Sequence, residues 1–199
     1  MSVWLEPQVI LQVTLGLLFA SCIKGAFGIG LPVVAMAILP FFISPKLAVT
    51  IIALPIVVTN LQQLLTGKDW RKLVYEFRYM AFFVLSLSFF VSLWLPQITS
   101  KTVNGVVGAT LILFVITSFF NISIPLSKSR LSQGIAGIIS GIISGLTGFQ
   151  PTVIMYLASL NLSKDAFVTT VGYIFFVGGL GLSGGLATTQ MLGRDILII

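Results

Sequence analysis

Long apolar segments separated by short polar ones dominate the chain. The apolar segments cover residues 8–43, 47–66, 79–96, 104–121, 131–161 and 166–190. A bilayer core about 30 Å thick needs about 20 apolar residues in a helix, and these segments approach or exceed that length. The pattern predicts an all-α fold, a polytopic transmembrane helix bundle.

Two of these segments, 8–43 and 131–161, are longer than one untilted span requires. Both are interrupted by glycine and proline, at residues 25–32 and 145–151. Glycine lowers helix stability and proline removes a backbone donor, so we predict a helix break at each place. Unwound backbone at membrane depth persists only where it is buried in protein or lines a cavity.

The two breaks belong to an apparent internal repeat. An offset of 119 residues superimposes Pro32 on Pro151, and an offset of 120 superimposes the Gly25 and Gly28 pair on Gly145 and Gly148. We therefore predict a first repeat at 1–121 with four spans, the first one broken at 25–32. We predict that a cytoplasmic connecting loop follows at 122–130. The remaining residues form an incomplete second repeat at 131–199, which is broken at 145–151.

The second copy lacks the two helices that end the first, so we expect a chain truncated of its last two helices. The relative orientation of the copies stays open. If each overlong segment is one broken span, the repeat unit has four crossings and the copies are parallel. If each segment crosses twice, the unit has five crossings and the copies are inverted.

Composition agrees with a membrane protein. Hydrophobic residues make up 57% of the chain and charged residues 8%, against about 25% charged in an average soluble domain. The net charge of +6 arises in short loops, mainly 67–78 and 122–130. By the positive-inside rule both loops face the cytoplasm, which predicts a multi-pass protein of the cell (inner) membrane. The basic residues do not form a face with interleaved aromatic residues, so we expect no nucleic-acid partner.

The chain has few residues of the types that catalyse reactions or bind metals. The chain has no histidine and one cysteine, Cys22, which we expect to be a buried small residue. No carboxylate lies in the middle of a predicted span. We therefore expect no enzyme activity, no metal and no other cofactor.

The breaks supply the candidate binding chemistry, because the N-terminus of a half-helix attracts anions. Lys24 is the only charge in residues 8–43, so it either meets an anion there or snorkels to the membrane interface. The candidate substrate-binding residues are Lys24, Gly25, Gly28, Gly30, Pro32, Asn60, Thr147, Gly148, Gln150 and Pro151. Close helix packing is the alternative for the glycines, and we favour it for the small-residue rows Gly137, Gly141, Gly145 and Gly181, Gly185. Gln63, like Asn60, is a polar position near the end of the second span.

The run Lys24-Gly-Ala-Phe-Gly-Ile-Gly-Leu-Pro32, followed by Ser140-Gly-Ile-Ile-Ser-Gly-Leu-Thr-Gly-Phe-Gln-Pro151, resembles the sulfite exporter TauE/SafE family. The resemblance implies two four-span halves and movement of sulfite or organosulfonate anions across the inner membrane. The second break often has two glycines before the proline in that family, whereas this chain has Phe149 and Gln150 there. A bulky ring and an amide at those positions would change which substrate binds.

We therefore expect a secondary transporter or permease for small anions, namely sulfite or organosulfonates. It would work by alternating access around two broken helices. Its partners are a small anionic substrate and the lipid bilayer, with the oligomeric state left open. The alternatives are a membrane assembly or scaffold protein without transport, and a transporter of an unrelated small solute. A membrane-embedded enzyme is disfavoured by the missing catalytic residues.

Overall fold

The computed structural model describes residues 6–120, 127–189 and 191. Within these residues all regular structure is helical, which confirms the all-α bundle. The helices are α1 (Pro7–Phe27), α2 (Leu31–Ile38), α3 (Pro45–Thr66), α4 (Trp70–Glu76), α5 (Arg78–Leu93), α6 (Ser100–Phe119), α7 (Arg130–Thr147), α8 (Pro151–Ser159) and α9 (Lys164–Thr188), with a 3-10 turn at Leu39–Phe41.

Several helices have the length and hydropathy of a membrane span. In the described part of the chain, α1, α3, residues 100–117 of α6, and α9 meet both requirements, and the α4–α5 pair, bent by 73°, is a fifth candidate. Buried positions make up 61% of the apolar window of α9 but only 17% of that of α1. Helix α9 is thus central and α1 peripheral.

Cys22 lies on the outer side of α1 and is exposed. Our expectation that it is buried within the protein was wrong. An apolar segment does not reveal which of its residues face neighbouring helices, and on a peripheral helix lipid rather than protein covers a small apolar side chain.

The first overlong segment folds back on itself. A Cβ on Gly16 of α1 would lie 3.3 Å from Leu39 and 3.4 Å from Ile38, so α2 returns antiparallel along α1. The returning segment Leu31–Phe41 is about 16 Å long, roughly half of a bilayer core. Its break is therefore a hairpin with a short second arm, which we call the first hairpin (α1–α2), and not a kink in one straight span.

The second overlong segment makes a similar turn. Helix α8 returns from the end of α7 and brings the Tyr156 hydroxyl back to the carbonyl of Ser127, to which it donates at 3.0 Å. Ser127 lies just before α7 begins, so the chain has reversed direction. We call α7–α8 the second hairpin.

The two hairpins enter the bundle from opposite ends. Helices α1 and α3 end together, because Lys24 binds Asn60. Helix α5 leaves from that same end, and α7 runs parallel to it, with Gly137 against Met80 and Gly145 against Val91. Of the two orientations left open above, this geometry favours inverted copies. The repeat itself stays a prediction, since 121–126 and 192–199 lie outside the described residues.

The basic loops share one end of the bundle. Lys128 pairs with Glu76 at 2.6 Å, and Lys68 lies 3.9 Å from Asp165. At the other end, the Lys46 ammonium donates to the carbonyl of Pro96 at 2.8 Å. We call the first of these the basic end. Its predicted cytoplasmic location requires both basic loops to lie on one side, as they do.

Glycines let α7 and α9 pack closely on α5, as the small-residue rows predict. A Cβ on Gly137 would lie 2.8 Å from the Met80 carbonyl oxygen, and one on Gly145 would lie 2.7 Å from the Val91 Cβ. In α9, a Cβ on Gly181 would collide with the Leu85 carbonyl oxygen, and Gly185 lies against Ser92 in the same way. These contacts leave no room for a methyl group.

We predict that Gly141→Ala lowers the free energy of unfolding by about 1–3 kcal/mol, because overpacked contacts must move apart. The new Cβ would lie 2.8 Å from Leu87 Cβ and 2.9 Å from the Phe83 carbonyl oxygen. Gly105→Ala in α6 is the matched control, since nothing lies within 4 Å of its added methyl group. Unfolding in mixed detergent micelles measures both variants, and equal stabilities would contradict the packing assignment.

Candidate functional site

The first hairpin turns at two glycines with positive φ. Gly28 has φ 76° and donates its N–H to the Lys24 carbonyl at 2.7 Å, which ends α1. Gly30 has φ 123° and precedes α2, whose first turn contains Pro32. Residues with a side chain rarely adopt such angles, so glycine is required at both positions.

The second hairpin turns in a related way. Gly148 has φ 68° and donates its N–H to the Ser144 carbonyl at 2.8 Å, which ends α7. Pro151 then opens α8 and is buried. The Thr147 hydroxyl donates to the Ile143 carbonyl at 2.8 Å and accepts from the Phe149 N–H at 3.1 Å. Thr147 therefore shapes the turn through backbone contacts.

The described helices differ in how they begin, and α1, α4 and α5 lack a side-chain cap as the two half-helices do. A serine hydroxyl caps α3, α7 and α9 through Ser44, Ser129 and Ser163, respectively. Neither α2 nor α8 has a side-chain cap. Because the first amides of a helix have no partner within it, those of α2 and α8 are available to water or an anion.

Lys24 is buried beside the first turn, with 8% of its surface exposed. Its ammonium donates to Asn60 Oδ1 at 2.7 Å and to Gln63 Oε1 at 3.0 Å. Among the described residues its hydrogen-bond partners are these two amides, and no carboxylate pairs with it. The side chain therefore bonds to α3 within the protein, an arrangement that favours the anion-binding interpretation over snorkelling.

Both amides are held so that their oxygens face the ammonium. The Asn60 Nδ2 donates to the Ile56 carbonyl at 2.7 Å, and the Gln63 Nε2 donates to the Val168 carbonyl at 2.7 Å. An ammonium has three protons, and two are used here. The result is a buried positive charge that is stabilised by oriented dipoles alone, which leaves a net attraction for an anion.

An open cavity adjoins this cluster at the basic end. Its volume is about 380 Å³, and its lining includes Gly28, Gln63, Lys68, Lys164 and Asp165. Gln63 thus contacts Lys24 on one side and borders the cavity on the other. A solute that enters from the basic end meets Gln63 before it meets Lys24.

Gln150 lies in a second, separate place. It is fully buried, its Nε2 donates to the Ser144 hydroxyl at 3.2 Å, and its Oε1 has no partner among the described residues. Gly178 of α9 makes room for it, since a Cβ there would collide with the amide. An unpaired buried amide oxygen marks a place where a proton donor is missing.

Helix α3 separates the two places. Gly148 lies against Ile52 and Ile56, whereas Lys24 binds Asn60 and Gln63. That difference in position along α3 corresponds to about 11 Å. The predicted site residues therefore form two groups, one at each turn, and Lys24 and Gln150 do not share one pocket.

Two further findings concern individual residues. Gly25 is exposed, and nothing lies within 4 Å of a Cβ added at this position. It therefore neither forms a turn nor makes a close contact with another helix. Gln63 was absent from the predicted set, although it contacts Lys24. The available signal was its spacing of three residues from Asn60, which places both amides on one face of α3.

The family model for the sulfite exporter TauE/SafE matches residues 13–199, a range that includes the turns of both hairpins. The chain belongs to the TauE/SafE family. The resemblance inferred from the two glycine-rich breaks is thereby confirmed. Members of this family are membrane transporters of sulfite-type anions and not enzymes. No curated protein and no solved structure matches the chain significantly.

We predict that Asn60→Leu lowers the free energy of unfolding by about 2–3 kcal/mol, because it removes an acceptor from a buried charge. Thr59→Val is the neighbouring control, since its hydroxyl bonds only the Pro55 carbonyl one turn back. The double variant Lys24→Met/Asn60→Leu should recover most of the loss, because no charge is then stranded. Additive losses in unfolding experiments would show that the two residues do not interact.

Proposed function

We propose that the chain is a secondary transporter that moves sulfite or small organosulfonates across the cell membrane. The observation that carries this proposal is Lys24, a buried cation with amide oxygens as its partners and, among the described residues, no carboxylate within ion-pair distance. A bound anion would neutralise the positive charge of the Lys24 ammonium. The family supports a sulfite-type anion, and the chemistry of the cluster supports binding at the first hairpin.

Sulfite and sulfonates suit the donors available there. Each presents three oxygens that accept hydrogen bonds in different directions. The remaining Lys24 proton would bind one oxygen, and the uncapped first-turn amides of α2 would bind others. The second proton of the Gln150 Nε2, with the uncapped start of α8, would offer a second, weaker station on the route.

We further propose that Gln63 closes the route at the basic end. Its oxygen accepts from Lys24 of α1 and its nitrogen donates to Val168 of α9, so one side chain joins three helices. An anion that takes the ammonium from Gln63 removes one of these bonds. Substrate binding would then favour movement of α1 relative to α9, as alternating access requires.

The alternative of a non-transporting scaffold accounts for the packing glycines of α7 and α9. It gives no reason for a buried cation without a counter-charge or for two half-helices without caps. A transporter of an unrelated solute remains the stronger competitor, and a substrate panel separates it from the proposal.

We predict saturable uptake of sulfite by the purified protein in proteoliposomes, inhibited by sulfoacetate or methanesulfonate but not by acetate. Lys24→Gln should weaken apparent sulfite affinity by about 10- to 100-fold, the effect of losing a charge-assisted hydrogen bond. Lys101→Gln is the matched control, because Lys101 is exposed at the opposite end of the bundle. Inhibition by acetate, or unchanged affinity in Lys24→Gln, would contradict the assignment.

We also predict that Gln63→Glu abolishes sulfite uptake, because its carboxylate would pair with Lys24 and occupy the place of the anion. The neighbouring exposed residue provides the control, Gln62→Glu, which adds the same charge away from Lys24. Uptake assays on both variants, with unfolding curves to show that each is folded, make the test. Equal uptake by the two variants would exclude the role of Gln63.

A further inference from the structure

A second cationic cluster lies at the basic end, on the outer side of the α5–α7 contact. The guanidinium carbons of Arg78 and Arg130 lie 4.9 Å and 5.1 Å from the centre of the Tyr79 ring. Arg78 also lies 3.9 Å from the centre of the Tyr75 ring. One tyrosine ring thus contacts two arginines, Arg78 and Arg130, which we call the arginine pair.

The arginine pair has no carboxylate partner among the described residues. Among the described acids at the basic end, Glu76 pairs with Lys128, Asp165 lies 3.9 Å from Lys68, and Asp69 forms no ion pair with either arginine. Arg78 and Arg130 are also the first residues of α5 and α7, where the helix dipole adds positive charge. Two like charges at two helix N-termini repel each other, so a bound anion would stabilise the arrangement.

An apolar groove continues from the arginine pair along the same two helices. Leu131, Ile138 and Ile142 recur at helical spacing on α7 and are 75%, 39% and 42% exposed. Phe90 of α5, which shares a side of that helix with Tyr79, is 59% exposed. In a membrane these side chains contact acyl chains. An anion that binds the arginine pair therefore has an apolar surface directly beside it.

We propose that the arginine pair and this groove bind one anionic phospholipid. Its phosphate would accept hydrogen bonds from the guanidiniums at this surface, which match phosphate geometry through paired N–H donors. Its acyl chains would follow the groove between α5 and α7. The occupant is a lipid and not a free anion, because charge and apolar surface are continuous and the basic end suits the anionic cytoplasmic leaflet.

The test is binding of dioleoyl phosphatidylglycerol to the purified protein in dodecyl maltoside, read by native mass spectrometry and by the shift in Tm. Dioleoyl phosphatidylcholine and inorganic phosphate are the comparison ligands. We expect the phosphatidylglycerol affinity of Arg78→Gln/Arg130→Gln to fall by about 30-fold, as expected for two lost charge contacts. Arg71→Gln is the matched control, since Arg71 stacks on Trp70 and on neither tyrosine of the cluster.

Phosphatidylglycerol should raise the Tm of the unmodified protein and of Arg71→Gln, and the other two ligands should not. If the double variant does not fold, Arg130→Gln alone changes an exposed side chain and should weaken binding about fivefold. Unchanged affinity in a folded variant, or no binding to the unmodified protein, would overturn the proposal. So would an equal shift with inorganic phosphate, which would assign the cluster to a free anion.

Discussion

The bond between the Lys24 ammonium and the amides of Asn60 and Gln63 is the interaction on which the functional end of the bundle depends. A buried charge is costly unless its hydrogen bonds are satisfied. The oriented amides accept two of the three ammonium protons and leave the positive charge in place. A carboxylate in their place would stabilise the lysine more strongly but would remove its attraction for an anion. The same bonds connect α1 to α3 and, through Gln63, to Val168 of α9. Helix association and anion attraction therefore rest on the same few atoms.

The two hairpins determine which backbone groups lie inside the protein near the buried charge. Left-handed glycines, Gly28 and Gly148, end α1 and α7 and let the chain reverse within the bundle. Each reversal places the uncapped start of a short helix inside the protein, where its amides can serve a ligand. Because the hairpins enter from opposite ends, the turns lie at different depths beside α3. The two turns differ by about 11 Å in position along α3, and we propose that the transported anion crosses this distance during alternating access.

Hydropathy predicted most helices well, because a bilayer imposes both length and apolar character. The predicted segment 47–66 corresponds to α3 at Pro45–Thr66, and both breaks fall where glycine and proline interrupt the apolar segments. The reversal of direction at each break was one of two alternatives left open, since composition alone does not state where a chain goes after a left-handed glycine. The partnership of Lys24 with Gln63 joins residues 39 positions apart and depends on how α1 packs on α3. The separation of Lys24 from Gln150 has the same origin in packing.

The central claim is that Lys24 binds the transported anion at the first hairpin. Selenite has the charge and pyramidal shape of sulfite, and selenium scatters X-rays anomalously. The most direct measurement is therefore a crystal structure with selenite and an anomalous difference map. The account predicts a selenium peak within hydrogen-bonding reach of the Lys24 ammonium and the start of α2, with Gln63 displaced. A selenium peak elsewhere, with Lys24 still bonded to both Asn60 and Gln63, would contradict it.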